Sequence, residues 1–151
     1  MKRMPKIKLV MTPFPYSIEL HESLAAARVM MAEHGIHHLP VSDDGHLVGV
    51  ISARDVDTAL AVDPDTPASG RGIRSCYSTD IYVVGLSTPL DQVLLKMAER
   101  HIRCAVVLKG DKIAGIFTVT DACLRFADLL RSTYEPTPEG DDNGGDDDQA
   151  A

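Results

Sequence analysis

GVISARD, residues 49–55, recurs later in the chain as GIFTVTD, residues 115–121. In both copies a glycine precedes a short apolar run, and a serine or threonine then stands three positions before an aspartate. A hydroxyl followed by an acidic residue three positions later is typical of a capping box at a helix N-terminus. Each copy therefore predicts a strand that leads directly into a helix.

The offset of 66 residues between the two copies holds without a gap from about residue 10 to residue 60. It aligns Tyr16 with Tyr82, Leu24 with Leu90, and Met31-Ala32-Glu33 with Met97-Ala98-Glu99. A self-match at one fixed offset indicates a duplicated unit whose copies bury their apolar faces against each other. We therefore predict a first repeat at 8–62, a linker at 63–74, a second repeat at 75–131 and a tail at 132–151.

Each repeat is predicted to contain a helix, a β-hairpin and a second helix. In the second repeat we expect Thr88 to cap a helix with Pro89 at its first position, because apolar residues then recur at helical spacing. Strands at 102–108 and 112–118 and a helix from about 119 to 131 follow. The first repeat has the same order, with a helix at about 23–34, strands near 38–41 and 47–51, and a helix after Ser52.

The repeated Ser/Thr-x-x-Asp pattern has two interpretations. A carboxylate can accept hydrogen bonds from both hydroxyls of a ribose, while the hydroxyl side chain and nearby helix N–H groups can face a phosphate. The same residues can instead do nothing more than cap a helix, because caps are found on most helices. The motif alone leaves both interpretations open.

Length, composition and charge limit the class of protein. With 151 residues and 44% hydrophobic residues, the chain can form one compact domain. No apolar run approaches the roughly 20 residues that cross a membrane, and the N-terminus lacks a signal peptide's apolar stretch, so we expect a cytoplasmic protein. Seven acids lie in the tail, leaving 15 acids against 15 lysines and arginines elsewhere. We therefore expect a disordered tail and no nucleic-acid partner.

Metal and enzyme functions are not favoured. The three cysteines form no C-x-x-C pair, and the adjacent His37 and His38 would point to opposite faces of a strand despite nearby Asp43 and Asp44. No nucleophile elbow, H-E-x-x-H or P-loop occurs. Cys104 lies in a strand pattern, which is typical of a buried, unreactive thiol. We expect no metal site and no catalytic residue.

The chain resembles a known family at specific positions. The first repeat resembles a cystathionine β-synthase (CBS) domain, and the second resembles another, so that residues 8 to 131 are similar to a tandem CBS (Bateman) module. The resemblance rests on the order and spacing of Val10–Pro13, Met31–Ile36, Leu39–Val41, Gly45 and Gly49–Asp55.

This resemblance implies an α+β fold of two pseudo-twofold related β-α-β-β-α repeats packed sheet to sheet. Its clefts would bind adenosyl ligands such as AMP, ADP, ATP or S-adenosylmethionine, and no further cofactor is required. The aspartates would hold ribose and the hydroxyls would lie near phosphate, with Ser52 and Asp55 in one cleft and Thr118 and Asp121 in the other. Adenine would contact the segments after each repeat's opening and the first residues of the central strands, namely Tyr16, Ser17, Ile18, Tyr82, Val84, His38, Pro40 and Cys104.

The two repeats differ around these motifs. Arg54 lies inside the first motif where the second has Thr120, which favours the first cleft for phosphate unless Arg54 is only a solvated cation. The second repeat opens with Cys76-Tyr77-Ser78-Thr79-Asp80, which lacks the Met-Thr-Pro of the first. We expect the carboxylate of Asp80 to weaken the second cleft or to make it prefer fewer phosphates.

Two functional classes fit the resemblance, and neither involves turnover. The first is a stand-alone regulatory sensor that transmits its ligand state to an unidentified partner or to an oligomer. The alternative is a structural or protein-interaction module whose clefts bind nothing. In both cases we expect a homodimer, because CBS modules commonly pair through helices and the repeat helices carry extra apolar residues at Val29, Met30 and Leu95.

Overall fold

A computed structural model describes residues 2–135 of the chain. Of the tail predicted at 132–151, Ser132 and Thr133 belong to the last helix, and the residues from 136 onward lie outside the described part of the chain. Each repeat contains the five elements that the resemblance implies, in the order β-α-β-β-α. One additional short strand, β1, precedes those of the first repeat. The elements are β1 Thr12–Pro13, β2 Ile18–Glu19, α1 Leu24–His34, β3 His38–Asp43, β4 His46–Ser52, α2 Ala53–Val62, β5 Val83–Gly85, α3 Leu90–Glu99, β6 Cys104–Lys109, β7 Lys112–Thr118 and α4 Val119–Thr133.

The strands form two sheets with the same internal pattern. In the first sheet β2 is parallel to β3, which is antiparallel to β4; in the second, β5 is parallel to β6, which is antiparallel to β7. The hairpins even share an irregularity at aligned positions, between Val41 and Ser42 and between Val107 and Leu108. β4 contacts β7, so that the two sheets meet. The predicted α+β fold with sheets packed together is confirmed.

The opening segment of each repeat crosses to the other repeat. β1 pairs with β7 of the second repeat, with Thr12 opposite Ile116, and Ser78 of the second repeat forms a bridge with Val50 in β4. The crossing extends into both hydrophobic cores. Ile7 is fully buried in the core of the second repeat, and Ile73, inside the predicted linker, is fully buried in the core of the first. Each hydrophobic core therefore combines the opening segment of one repeat with the remaining elements of the other.

This crossing explains the glycine that begins each copy of the motif. A Cβ atom on Gly49 would collide with the carbonyl oxygen of Ser78 and the ring of Tyr77. A Cβ on Gly115 would collide with the side chain of Met11 and lie 3.1 Å from the carbonyl oxygen of Thr12. Glycine is required because the neighbouring chain passes directly over the strand at both places.

One predicted helix cap is wrong. The N-cap of α3 is Pro89 rather than Thr88, and no side chain caps it. The N-terminal segment supplies the partners instead, because the Leu90 N–H donates to the carbonyl of Pro5 at 2.9 Å and the Thr88 carbonyl accepts from the Ile7 N–H at 2.9 Å. A contact with the crossing segment thus replaces the local cap. No helix in the described part of the chain is long and apolar enough to cross a membrane.

Candidate functional site

A cavity of about 480 Å³ lies where the first repeat's opening segment crosses the second repeat's motif. The first repeat contributes its opening segment and the residues between α1 and β3, and the second contributes the end of β7 and the start of α4. The lining residues are Thr12, Pro13, Phe14, Pro15, Tyr16, His34, Gly35, Ile36, His37, His38, Ile116, Thr118, Thr120 and Asp121. Residues from both repeats would therefore contact a single ligand here.

Asp121 completes a capping box at the N-terminus of α4. Its Oδ2 accepts from the Thr118 N–H at 2.8 Å and from the Thr118 hydroxyl at 2.9 Å, and its own N–H donates to Thr118 Oγ1 at 3.2 Å. Among the described residues, no group donates a hydrogen bond to its Oδ1. The cap therefore uses one carboxylate oxygen and leaves the other as an acceptor at the cavity. Capping and ligand binding are compatible.

The start of α4 offers one further donor. The Val119 N–H donates to the carbonyl of Arg103 at 3.0 Å, and the Asp121 N–H is held by Thr118. Within residues 2–135 the N–H of Thr120 has no such partner. Because this position lies in the first turn, it favours an anion.

Aromatic and imidazole rings line the other part of the cavity. The rings of Tyr16 and His34 stack with their centroids 3.7 Å apart and an angle of 10° between their planes. Phe14 is 91% exposed and has a positive φ of 48°, an uncommon backbone conformation for a bulky residue. Flat, exposed rings provide the stacking surface that a purine base needs.

The first motif has the same local geometry. Asp55 Oδ2 accepts from the Ser52 N–H at 2.8 Å, and the Asp55 N–H donates to Ser52 Oγ at 3.1 Å. These residues do not line the cavity described above. The strand that leads into them, β4, forms a bridge with Ser78 in the opening segment of the second repeat. The structure therefore corrects the expected pairing at the second motif: Thr12 and Pro13 of the first repeat's opening line the Asp121 cavity, and Asp80 does not.

Titratable groups near Asp55 reflect burial and charge. Burial, together with a smaller contribution from the Asp55 carboxylate, raises the pKa of Cys104 to about 11, so this thiol stays protonated near neutral pH. Burial also raises the pKa of Cys76, again with a contribution from Asp55. Burial lowers the pKa of His38, as does its neighbour His37, while Asp55 opposes this shift. A protonated thiol is a weak nucleophile, so this pKa supports the prediction of an unreactive Cys104.

The structure separates the predicted site residues into two groups. Tyr16, His38, Thr118, Thr120 and Asp121 line one cavity. The others do not line it: Ser52, Arg54 and Asp55 lie at the first motif, Ser17 is exposed, Tyr82 and Cys104 are half-buried, and Ile18, Pro40 and Val84 are buried.

Burial changes the expectation for three of these residues. Ile18 belongs to the first core and Val84 to the second, and Pro40 is almost fully buried. Side chains so enclosed do not offer a contact surface to adenine, so that a contact at these positions would have to involve the backbone, and it stays a prediction.

Sequence reasoning missed Thr12, Phe14, His34 and His37 as lining residues. Phe14 carried a signal, since an aromatic residue between two prolines has a restricted backbone and little to bury it. His37 was a candidate only for a metal site. In the described chain, no three histidine, cysteine or acidic side chains are grouped so that they could hold a metal ion.

Both repeats match a known family. The family model described as CBS domain matches residues 7–62 and 73–128. The chain is 33% identical over 105 residues to hypoxic response protein 1 of Mycobacterium tuberculosis, a match that covers 67% of this chain and 71% of that protein.

Two solved structures extend the comparison. The CBS domain pair of protein MJ0100, in complex with 5′-methylthioadenosine and S-adenosyl-L-methionine, has a TM-score of 0.76 and 25% identity, and the match covers 84% of this chain and 99% of that one. Hypoxic Response Protein I with two coordinated zinc ions has a TM-score of 0.67 and 24% identity, over 80% of this chain and 98% of that one. At that identity, the second match shows the fold alone.

Proposed function

The chain belongs to the CBS-domain family as a tandem pair, and from that premise we propose that it senses an adenosyl ligand at the cavity between its repeats. The single observation that carries the proposal is that Asp121 lines a cavity with stacking rings and that its Oδ1 accepts no hydrogen bond from residues 2–135. A carboxylate oxygen suits ribose hydroxyls, the Thr120 N–H suits a phosphate, and Tyr16 suits a base. The complex of a related CBS pair with methylthioadenosine and S-adenosylmethionine supports this class of ligand.

Signal transmission would follow from the crossing. A ligand in the cavity contacts the opening of the first repeat and the motif of the second at once. It therefore stabilises the arrangement of the repeats that it fits best, and the equilibrium shifts by its difference in affinity. We propose that a partner protein or a second copy of the chain responds to that shift, and that the chain itself performs no turnover.

A thermal-shift screen tests the proposal. We expect at least one of AMP, ADP, ATP and S-adenosylmethionine to raise the melting temperature, because a ligand that binds only the folded state stabilises it by mass action. At a ligand concentration of roughly 100 times Kd, the added stability is about 2.7 kcal/mol. If no adenosyl ligand shifts the transition at millimolar concentration, the alternative of an architectural module with empty clefts is favoured.

We also propose a homodimer formed through the helices. Val29 and Leu95 are exposed as predicted, but Met30 packs against the first core and does not contribute. α4 was predicted as a helix but not as part of a dimer surface. No residue on it is buried, and its exposed apolar side chains are Val119, Leu124, Phe126, Leu129 and Leu130. Such a surface is unusual for a helix without a partner.

Light scattering checks the dimer. We expect a mass of about twice the chain's 16.3 kDa at micromolar concentration, and we expect Phe126→Glu to shift it towards one chain because the carboxylate would be buried without a partner. Lys112→Glu, on an exposed strand residue, is the control for added charge. A single-chain mass for the unmodified protein would contradict the proposal.

A further inference from the structure

Histidines are the basic residues that line the Asp121 cavity. His34, His37 and His38 line it, and of the described residues no lysine or arginine does. An imidazole changes charge between about pH 5 and pH 8, whereas a guanidinium does not. The positive charge available to a ligand phosphate in this cavity therefore depends on pH.

The other repeat has permanent charge at the matching positions. The 66-residue offset aligns His34 with Arg100 and His37 with Arg103, and it aligns Thr120 with Arg54. Arg100 lies 3.6 Å from Asp80 of the second repeat's opening segment. The positive charge of Arg100 also acts on the neighbouring Tyr82, the counterpart of Tyr16. The two related clefts thus differ in whether their cations titrate.

We propose that the Asp121 cavity selects adenosyl ligands that carry phosphate and holds them more tightly as pH falls, through His34 and His37. This inference rests on the proposed function, because it assigns a ligand class to the same cavity. His34 and His37 are both exposed, so that a positive charge on either ring would remain solvated. The protonated rings attract phosphate, and bound phosphate in turn favours their protonated form.

His38 contributes less to this effect. It is half-buried, and burial and the neighbouring His37 lower its pKa. The cavity therefore depends on the two exposed rings. The ionisable groups that face the three histidines are Tyr16 and Asp121 in the cavity, Arg28 and Asp57 in a groove shared with His37, and Asp55 and Arg103 near His38.

Isothermal titration of AMP and of adenosine at about pH 6 and pH 8 tests the inference. The quantity compared is the ratio of Kd at the higher pH to Kd at the lower pH. For the unmodified protein we expect AMP to give a ratio about threefold to tenfold above that of adenosine, the size expected for partly exposed charge pairs. Adenosine serves as the control for pH effects unrelated to phosphate.

Two double variants separate the histidines from the titration of AMP itself. In His34→Gln/His37→Gln, the Kd ratio for AMP should fall to the value that titration of the AMP phosphate alone produces. In His34→Arg/His37→Arg, which copies the other repeat, AMP should stay preferred over adenosine at both pH values. Because both side chains are exposed, these variants are expected to fold, which circular dichroism checks.

The outcomes distinguish this inference from the proposed function. If adenosine and AMP both bind but the AMP ratio is the same in the unmodified protein and in the His→Gln variant, the inference fails and the adenosyl site stands. If neither compound binds at either pH, the proposed function fails and the inference fails with it.

Discussion

Ile73→Ala is expected to lower the free energy of unfolding by about 2 to 5 kcal/mol. The sequence places this residue in a linker, where such a change would have little effect, but the side chain is fully buried in the first core. Removing three carbons there sacrifices apolar burial and leaves a cavity. Chemical denaturation followed by circular dichroism measures the change.

Two further variants make this test specific for the crossing. Ile7→Ala should cost a similar amount, because Ile7 is equally buried in the second core although it belongs to the first repeat's opening. Val62→Ala is the control, since Val62 is 80% exposed. Losses below about 0.5 kcal/mol for both isoleucines, comparable with a surface substitution, would contradict the crossed arrangement.

Asp121→Asn is expected to weaken the binding of an adenosine nucleotide by roughly 1.5 to 3 kcal/mol, about tenfold to a hundredfold. The asparagine can still accept the hydrogen bond from the Thr118 N–H through its single carbonyl oxygen. Its NH₂ group then occupies the position of Oδ1, so that a donor faces the ribose hydroxyls. Isothermal titration measures the loss.

Stability separates this effect from unfolding. If Asp121 is only a cap, Asp121→Asn costs a fraction of a kcal/mol to about 1 kcal/mol and no ligand response exists to be lost. If it also holds ribose, the cost in stability stays in that range while affinity falls. A variant with unchanged affinity would remove Asp121 from the proposed site.

Local patterns predicted much of this fold. The helices, the hairpins and both capping boxes depend on residues within a few positions of one another, and the hydroxyl and aspartate of GVISARD and GIFTVTD form the bonds that their spacing indicates. The duplication was visible because both copies kept the same register. These features could be predicted because the residues that form them lie close together in the sequence.

The crossing could not be predicted in the same way. β1 pairs with a strand about 100 residues away, and nothing in Thr12-Pro13 specifies that partner. Gly49 and Gly115 are the residues in the sequence that the crossing requires. A glycine in a strand has several possible explanations, however, and the sequence does not show which segment passes over it. The cap expected at Thr88 was wrong for the same reason, because Pro5 reaches α3 from the far end of the chain.

Only part of the candidate site could be predicted. Some of its residues belong to local motifs, and others are brought together only by the crossing. Thr118 and Asp121 belong to a local motif and were found, and Tyr16 and His38 followed from the family resemblance. His34 and His37 acquire a meaning only when the first repeat is placed over the second motif. The preference of phosphate for the first motif, based on Arg54, stays a prediction, because Arg54 does not line the Asp121 cavity.

Titration of AMP into the unmodified protein and into the Asp55→Asn/Asp121→Asn double variant tests the central claim most directly. The unmodified protein should bind AMP, and the double variant, still folded by circular dichroism, should bind it at least tenfold to a hundredfold more weakly because both ribose acceptors are altered. Equal affinity in the two proteins would contradict the account and leave both Ser/Thr-x-x-Asp motifs as helix caps alone.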